Sequence, residues 1–247
     1  MPSVDSSEII VTGASQGMGL EMSRRFAQEG ASVTLVSRNE AKLKRAAQTI
    51  DGDPLVLPGD VRNRADVEEI IQTVYEERGR IDTLVNNAGV SLLTIADGHR
   101  RVTEVTETEW DTVIDTNLKG AFLFSKFALE RMQAQQHGNI INISSGLGRR
   151  AAANWQPYLT SKWGIEGFTR SVALEFEADG ININGLDPGG GVITWKENRP
   201  KSRHDDLLPP DIMNEAAVLL AAQPVHGITG ESMTATEWER RFAEEAP

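Results

Sequence analysis

The chain has 247 residues and a net charge of −11, from 25 Lys and Arg against 36 Asp and Glu, and it contains no cysteine. This length suits one large α/β domain, so we expect a single domain over residues 1–247. The acidic balance offers no basic surface for nucleic acid or an anionic membrane, and we expect neither as a partner. Without cysteine there are no disulfides, thiolate nucleophiles or cysteine-ligated metals. No leader or long apolar run is evident, which predicts a cytoplasmic protein.

Strand-like and helix-like patterns alternate along the chain. An apolar run at 8–13 ends in Gly13, and Met18, Met22 and Phe26 then follow at helical spacing. Further strand patterns occur at 31–37, 54–60, 81–89, 138–145 and 181–184, and further helix patterns at 40–50, 65–79, 106–132 and 158–180. Strands separated by helices of this length predict a doubly wound parallel sheet covered by helices on both faces.

The loop after the first predicted strand, TGASQGMG, carries Gly13, Gly17 and Gly19. Glycines there let the backbone approach a pyrophosphate, and the following helix N-terminus supplies amide donors. The glycine spacing is four then two, unlike the two then three of the common dinucleotide fingerprint. The loop alone therefore also allows a glycine-rich turn without a ligand. Ligands of such sheets bind beyond the carboxyl ends of the strands, so residues that follow strands are the first candidates.

Tyr158 and Lys162 lie four residues apart in a predicted helix, which places both side chains on one face. A free phenol has a pKa of about 10, too high for efficient proton transfer near neutral pH. An adjacent ammonium group stabilises the phenolate. The pair is therefore a candidate for proton transfer, although an ordinary aromatic and an ordinary cation give the same spacing.

Five segments in this order resemble the signature set of the short-chain dehydrogenase/reductase family over about residues 8–194: TGASQGMG at 12–19, NNAG at 86–89, Asn117, NISS at 142–145 and YLTSK at 158–162. The resemblance implies a Rossmann-like fold and hydride transfer between a nicotinamide cofactor and a small-molecule alcohol or ketone. It implies Tyr158 as general acid or base and Ser145 as the group that holds the reacting oxygen. Lys162 would bind the nicotinamide ribose, and Asn117 would hold a water linking Lys162 to solvent. Ser145 is preferred over Ser144 because it precedes Tyr158 by thirteen residues, as in the family.

The same resemblance implies the cofactor site. Its residues are Gly13, Ser15, Gln16, Gly17, Met18, Gly19, Ser37, Arg38, Asp60, Val61, Asn87, Ala88, Gly89, Tyr158, Lys162, Pro188, Gly189, Val192 and Thr194. Asp60 and Val61 would bind the adenine edge, whereas the NNAG segment would line the cofactor or act as a turn that locks neighbouring strands. An Arg after the second strand suits a 2′-phosphate, so Arg38 predicts a preference for NADP(H), with NAD(H) possible and a merely exposed Arg38 as the alternative.

Three segments depart from the family pattern or extend it. In LDPGGGVIT, Thr194 comes six residues after Pro188 where about five are expected, which indicates an altered backbone path. The polar segment at about 195–210 is predicted to be a mobile substrate lid, as in the resembling family, with Trp195 and Trp155 as apolar contacts, or else a surface loop without a role in function. The unusual tail at about 233–247 spaces Trp238 and Phe242 as an amphipathic helix, which would cover the core or contact a second subunit.

The same residues bear on other possible functions and on the expected partners. A catalytically silent dinucleotide-binding sensor or scaffold would need none of Ser145, Tyr158 and Lys162. A methyltransferase on a similar sheet would need an acidic ribose ligand where this chain has SRN. The four histidines are scattered, so we expect them to be exposed and expect no metal site. The resemblance implies a homotetramer, or else a homodimer, through helices at about 108–132 and 157–178. Their surplus apolar side chains include Phe122, Phe124, Phe127, Trp163, Phe168 and Phe176.

Overall fold

In the computed structural model, which describes residues 3–193 and 207–245, these two ranges form a seven-stranded parallel sheet. Its strands are β1 (Glu8–Thr12), β2 (Ser32–Ser37), β3 (Leu55–Pro58), β4 (Thr83–Asn86), β5 (Gly138–Ile143), β6 (Ile181–Asp187) and β7 (Ser232–Thr234). The strand order is β3-β2-β1-β4-β5-β6-β7. The predicted doubly wound parallel sheet is confirmed, and the chain reverses its winding direction between β1 and β4.

Helices cover both faces of the sheet. They are α1 (Gly17–Gln28), α2 (Glu40–Ala47), α3 (Arg64–Arg78), α4 (Leu92–Ile95), α5 (Glu107–Ile114), α6 (Gly120–Gln135), α7 (Gln156–Phe176), α8 (Asn214–Ala221) and α9 (Ala235–Glu245). One core cluster joins the sheet to α1, α8 and α9 through residues such as Phe26 and Trp238. The other joins it to α3, α6 and α7 through residues such as Ile71 and Phe124. Across 3–193 and 207–245, no helix combines the length and hydrophobicity that crossing a membrane requires.

Side-chain caps fix where several helices begin. The Asn39 and Asn63 side chains accept from the amides of Lys42 and Ala65, each at 2.9 Å, and so start α2 and α3. Thr106 starts α5 with the capping box that the sequence predicts: its hydroxyl accepts from the Glu109 amide at 3.2 Å. These caps satisfy amides that have no partner within the helix.

The predicted helix at 106–132 is interrupted. A π-helical turn at Asp115–Lys119 joins α5 to α6, and the Gly120 amide donates to the carbonyl of Asp115. Amides in a π turn bond five residues back, so the turn holds one residue more than an α-helical turn. Asn117 lies in this turn and is buried.

The C-terminal tail forms α9, as its amphipathic spacing predicts. Trp238 is fully buried, its indole N–H donates to the Gly185 carbonyl at 2.8 Å, and its ring stacks on Phe242. Of the two roles predicted for this helix, covering the core of its own chain is therefore the one that the packing shows.

The apolar side chains of α6 and α7 divide between the core and the surface. Phe124 and Phe127 are buried in the chain's own core, so they are not surplus as the sequence suggested. In contrast, Phe122 is 46% exposed, Trp163 50% and Leu174 77%. Helical periodicity explains the difference, because only one face of each helix meets the sheet.

Candidate active site

Glycines allow the loop after β1 to pack tightly against the turn after β4. Gly13 has a φ of 69°, and a β-carbon there would lie 2.9 Å from Ala88 Cα. A β-carbon at Gly19 would collide with Asn87 Nδ2. A side chain at either position would separate the loop from the turn.

Thr12 ties these two segments together. Its Oγ1 accepts from the amides of Asn87 and Ala88, both at 3.0 Å, and Asn87 Nδ2 donates to the Thr12 carbonyl at 2.8 Å. The Asn87 side chain therefore locks neighbouring strands, as the structural alternative for NNAG predicts. The sequence reasoning missed Thr12, whose only signal is a hydroxyl directly before Gly13. Gly89 lies next to Asn117, because a β-carbon at Gly89 would be 3.5 Å from Asn117 Oδ1.

The N-terminus of α1 fits the pyrophosphate of a dinucleotide. Gln16 stands at its N-cap in extended conformation and makes no side-chain capping bond, unlike Asn39 and Asn63, and the first turn holds no acidic residue. Gly17 has a left-handed φ of 59°. The first amides and the positive end of the helix dipole favour an anion there. Of the other residues predicted in this loop, Ser15 is partly exposed, whereas Met18 packs against the core.

The end of β2 fits the ribose of the cofactor. Ser37 Oγ is buried and has no hydrogen-bond partner among the residues that the structure describes. A buried hydroxyl without a partner is costly, and a ribose hydroxyl or a 2′-phosphate would supply one. Arg38 follows it and is exposed, so its guanidinium is accessible to an anion.

The end of β3 is organised by an arginine that the sequence reasoning missed. The Arg62 Nη2 atom lies 2.6 Å from Asp60 Oδ2, and Arg62 Nε lies 3.0 Å from both carboxylate oxygens. The Arg62 hydrogen bonds hold the pKa of the Asp60 carboxyl below its ordinary value. Val61 is buried and packs against Gly120, where a β-carbon would lie 2.7 Å from Val61 Cγ2. Both carboxylate oxygens of Asp60 are thus already paired with Arg62, and a ligand that binds here would contact this ion pair.

The structure separates the two serines at the end of β5. Ser145 starts a short 3-10 turn at Gly146–Gly148, where its Oγ accepts from the Leu147 amide at 3.2 Å, and its side chain is near enough to Tyr158 to lower the pKa of the phenol. Ser144 donates instead to Glu166 and is buried. Ser145, which the thirteen-residue spacing selected, is therefore the serine beside Tyr158.

Lys162 is buried against the same strand. It is 5% exposed, its Nζ donates to the Ile143 carbonyl at 2.6 Å, and Nζ lies 5.7 Å from the centroid of the Tyr158 ring. Burial lowers the pKa of Lys162 to about 8, and the carboxylates of Asp187 and Glu166 oppose that change. The predicted pair on one helix face is therefore present, with the ammonium group over the ring.

Burial dominates the ionisation of the phenol. It raises the pKa of Tyr158 above its ordinary value, the hydrogen bond with Ser145 opposes this, and the charge of Asp187 adds to it. The sequence reasoning expected Lys162 to lower this pKa. Burial, Ser145 and Asp187 are instead the causes of the shift, while the Lys162 ammonium group donates to the Ile143 carbonyl and lies 5.7 Å from the ring centroid.

Asn117 connects the segment after β4 to α7. Its Oδ1 accepts from the Val90 amide at 2.8 Å, and its Nδ2 donates to the Val90 carbonyl at 2.9 Å and to Ser161 Oγ at 3.0 Å. Ser161 Oγ in turn donates to the Tyr158 carbonyl at 2.6 Å. The amide thus aligns two segments of the site, and the water-holding role of Asn117 stays a prediction.

The turn after β6 has the unusual path that its glycines predict. Gly189 has a φ of 86°, and its amide donates to Asp187 Oδ1 at 2.8 Å. A β-carbon at Gly191 would lie 2.8 Å from Leu207 Cδ2, and Val192 forms a parallel bridge with Leu208. The glycines therefore let residues 207 and 208 pack onto the turn after Pro188. Thr194, Trp195 and most of the predicted lid at 195–210 lie outside the described residues.

Aromatic side chains line the start of α7 beside Tyr158. The ring of Trp155 packs edge-on against Tyr158 with centroids 5.8 Å apart, and His99 packs on Trp155 at 3.5 Å. Trp155 lies just before α7, the helix that carries Tyr158, as the sequence indicates, whereas His99, which we expected to be exposed, is partly buried. The contact crosses from the segment after β4 to α7, so no local sequence signal could reveal it.

Comparisons with known proteins agree with this geometry. Residues 7–202 match a family model described as short chain dehydrogenase. The chain is 34% identical over 188 residues to an NADPH-dependent pterin aldehyde reductase of Arabidopsis thaliana, covering 75% of both chains. It is 30% identical over 236 residues to a 3-oxoacyl-(acyl-carrier-protein) reductase of Thermotoga maritima, covering 90% of this chain and 93% of that protein. A crystal structure of a metagenomic short-chain oxidoreductase in complex with NADP matches with a TM-score of 0.80 at 28% identity, covering 94% of this chain and 97% of that one.

Proposed function

The chain belongs to the short-chain dehydrogenase/reductase family, whose members bind a nicotinamide dinucleotide, and on that premise we propose that this oxidoreductase interconverts a small-molecule carbonyl compound and its alcohol in the cytoplasm. One observation carries the proposal. The Ser145 side chain is near enough to Tyr158 to lower the pKa of its phenol, and the Lys162 ammonium group lies 5.7 Å from the centroid of the Tyr158 ring. A protein that only bound the dinucleotide would not need this arrangement.

The roles of the side chains follow from their chemistry. When bound, the nicotinamide supplies a hydride to the carbonyl carbon or accepts one from the alcohol carbon. Tyr158 Oη gives its proton to the carbonyl oxygen in reduction and takes a proton from the alcohol in oxidation. Ser145 Oγ donates a hydrogen bond to the same oxygen and stabilises the charge that develops there. Burial raises the pKa of Tyr158, so the phenol holds its proton in the resting site, and the positive charge of a bound oxidised nicotinamide would lower that pKa.

The predicted residues also fit the cofactor. The amides at the start of α1 would hold the pyrophosphate, and Ser37 Oγ with Arg38 would hold the adenine ribose and its 2′-phosphate. Lys162 would bind the nicotinamide ribose, and the turn at Pro188 and Gly189 would hold the carboxamide. An NADPH-dependent relative and a similar structure in complex with NADP support NADP(H) as the preferred cofactor, with NAD(H) possible.

Turnover separates an enzyme from a sensor. NADPH consumption is measured with a panel of ketones and aldehydes, and NADPH affinity is measured by fluorescence on the same protein. We expect consumption with at least one class of carbonyl compound. Tight NADPH binding without turnover of any carbonyl or alcohol would favour the silent sensor or scaffold instead.

Replacement of Arg38 by alanine is expected to weaken NADPH use selectively. Loss of a charge-assisted contact to the 2′-phosphate should raise KM for NADPH by about tenfold or more and leave KM for NADH nearly unchanged. Steady-state kinetics with both cofactors measure the effect. Arg45→Ala, which removes another exposed arginine nearby in sequence, is the control and should change neither constant. A wild-type preference for NADH that Arg38→Ala does not alter would contradict the assignment.

We expect the protein to be a homotetramer, with a homodimer as the alternative. Trp163 and Leu174 are eleven residues apart, or about three helical turns, so they share one exposed face of α7, and Phe122 packs on the same helix through Phe168. Light scattering at micromolar concentration should show the oligomer, and Trp163→Glu should shift it towards smaller species. Val225→Glu, at an exposed apolar residue outside these helices, is the control. A wild-type monomer would contradict both states.

A further inference from the structure

An ion network with two buried carboxylates lies near Lys162. Arg149 Nη1 is 2.7 Å from Glu166 Oε1, and Arg149 Nη2 is 2.5 Å from Asp187 Oδ2. Glu166 and Asp187 are only 4% and 2% exposed. Arg149 follows β5, Glu166 lies in α7 and Asp187 ends β6. One guanidinium group therefore connects three of the elements that build the candidate site.

Every oxygen of the two carboxylates has a donor. Glu166 Oε1 also accepts from Ser144 and from Ser232, the latter at 2.9 Å, and Glu166 Oε2 lies 3.4 Å from an amino group of the exposed Arg170. Asp187 Oδ1 accepts from the Gly189 amide at 2.8 Å. Buried carboxylates in such surroundings are held in one orientation. The network thus fixes Ser144, the neighbour of Ser145, and the turn after β6.

The network also balances the charge of Lys162. Among the described residues, the charges that act on Lys162 are the carboxylates of Asp187 and Glu166, and Glu166 lies four residues further along α7. Lys162 Nζ donates to the Ile143 carbonyl, and Ile143 pairs in the sheet with Leu186, the residue before Asp187. Tyr158 presents its ring to the ammonium group, and Arg149 pairs with both carboxylates.

The buried Lys162 and the more exposed Arg149 thus face two buried carboxylates. Burial alone lowers the pKa of Lys162, and Asp187 is the stronger of the two opposing carboxylates. The negative charge of Asp187 therefore raises the pKa of Lys162, an effect that an uncharged side chain at this position would lack.

Building on the proposed function, we propose that Asp187 is a positioning residue of the hydride-transfer site, which keeps Lys162 in its charged form and fixes the Pro188–Gly189 turn. The carboxylate carries out both tasks because its two oxygens point to different partners. Oδ2 pairs with Arg149 in the network, and Oδ1 holds the Gly189 amide. Asparagine retains an oxygen for the Gly189 amide but lacks the charge, so Asp187→Asn separates the two tasks.

The charge of Lys162 can be measured without turnover. The chain has only seven lysines, so the protein labelled with ¹³C at lysine Cε gives few NMR signals, and Lys162→Arg identifies the signal of Lys162. In Asp187→Asn we expect the titration midpoint of Lys162 to fall by about one pH unit, the usual effect of losing a close opposite charge. The alkaline loss of kcat should move to lower pH by the same amount, with NADPH affinity near that of wild type. Glu175→Gln, which removes an exposed carboxylate from the same helix, should change none of these.

Two further variants complete the test. Asp187→Glu restores the charge and should return the Lys162 midpoint towards the wild-type value, whereas Glu166→Gln should lower it as Asp187→Asn does. Glu166→Gln also serves if Asp187→Asn does not fold. An unchanged Lys162 midpoint in folded Asp187→Asn, or in Glu166→Gln in its place, would overturn the proposal. If no carbonyl compound is reduced but the midpoint falls, the proposed function fails while the link between Asp187 and Lys162 stands.

Discussion

Replacement of Tyr158 by phenylalanine is expected to remove nearly all turnover while NADPH affinity stays close to that of wild type. The substitution deletes the proton that passes to the carbonyl oxygen and keeps the ring that packs against Trp155. General acid catalysis contributes about 10²- to 10⁴-fold to the rate, so kcat should fall by about that factor. Steady-state kinetics and a fluorescence titration with NADPH measure the two quantities on one preparation.

The chain provides a matched control for this substitution. Its only other tyrosine, Tyr75, lies in α3, and its ring packs beneath the guanidinium group of Arg131 at 4.7 Å. Tyr75→Phe removes a phenol of the same kind away from the candidate site and should leave kcat unchanged. Wild-type rates in Tyr158→Phe would show that another group transfers the proton, and Tyr158 would then have only a packing role.

Replacement of Trp238 by alanine is expected to destabilise the fold by about 3–5 kcal/mol, the usual cost of truncating a buried tryptophan to alanine. Trp238 is fully buried in the core cluster beneath α8 and α9, and its indole N–H bonds the Gly185 carbonyl in β6. Alanine leaves a cavity and removes the donor of that carbonyl. Urea unfolding at one fixed protein concentration gives the change in free energy, since an oligomer's stability depends on concentration.

Two further substitutions should lower the free energy of unfolding by less than Trp238→Ala does. Trp238→Phe keeps most of the volume and loses the indole N–H, so its loss should be smaller than that of alanine. Phe242→Ala removes the ring that stacks on Trp238 from the partly buried side, and its loss should also be smaller. A loss below about 1 kcal/mol for Trp238→Ala, the size of a typical surface change, would mean that α9 does not anchor the core.

Local patterns in the sequence predict the order and type of most elements. The parallel sheet, the capping box at Thr106 and the terminal helix around Trp238 each rest on residues close together in the chain. Such features are predictable because side-chain direction repeats within each element. The choice of Ser145 over Ser144 rests instead on the spacing to Tyr158 that the resemblance to the family supplies.

Features that depend on contacts between distant elements could not be read from the sequence. The network of Arg149, Glu166 and Asp187 joins three elements, and each residue alone resembles an ordinary surface charge. The position of the Lys162 ammonium group depends on a carbonyl of β5 rather than on its spacing from Tyr158. Where burial competes with hydrogen bonds and charges, only the packed structure decides the ionisation of a group.

The π turn at Asp115–Lys119 makes the position of Asn117 depend on the number of residues in this turn. A turn with one extra residue can lose that residue and become regular α-helix, so α5 and α6 would keep their relative rotation. A deletion elsewhere in these helices would rotate every later side chain by about 100°. Related chains one residue shorter here would therefore retain the buried face of α6, including Phe124, yet would no longer present an amide to Val90 from the position of Asn117. A relative that lacks one residue at this turn could therefore keep the fold and lose the Asn117 contact of the candidate site.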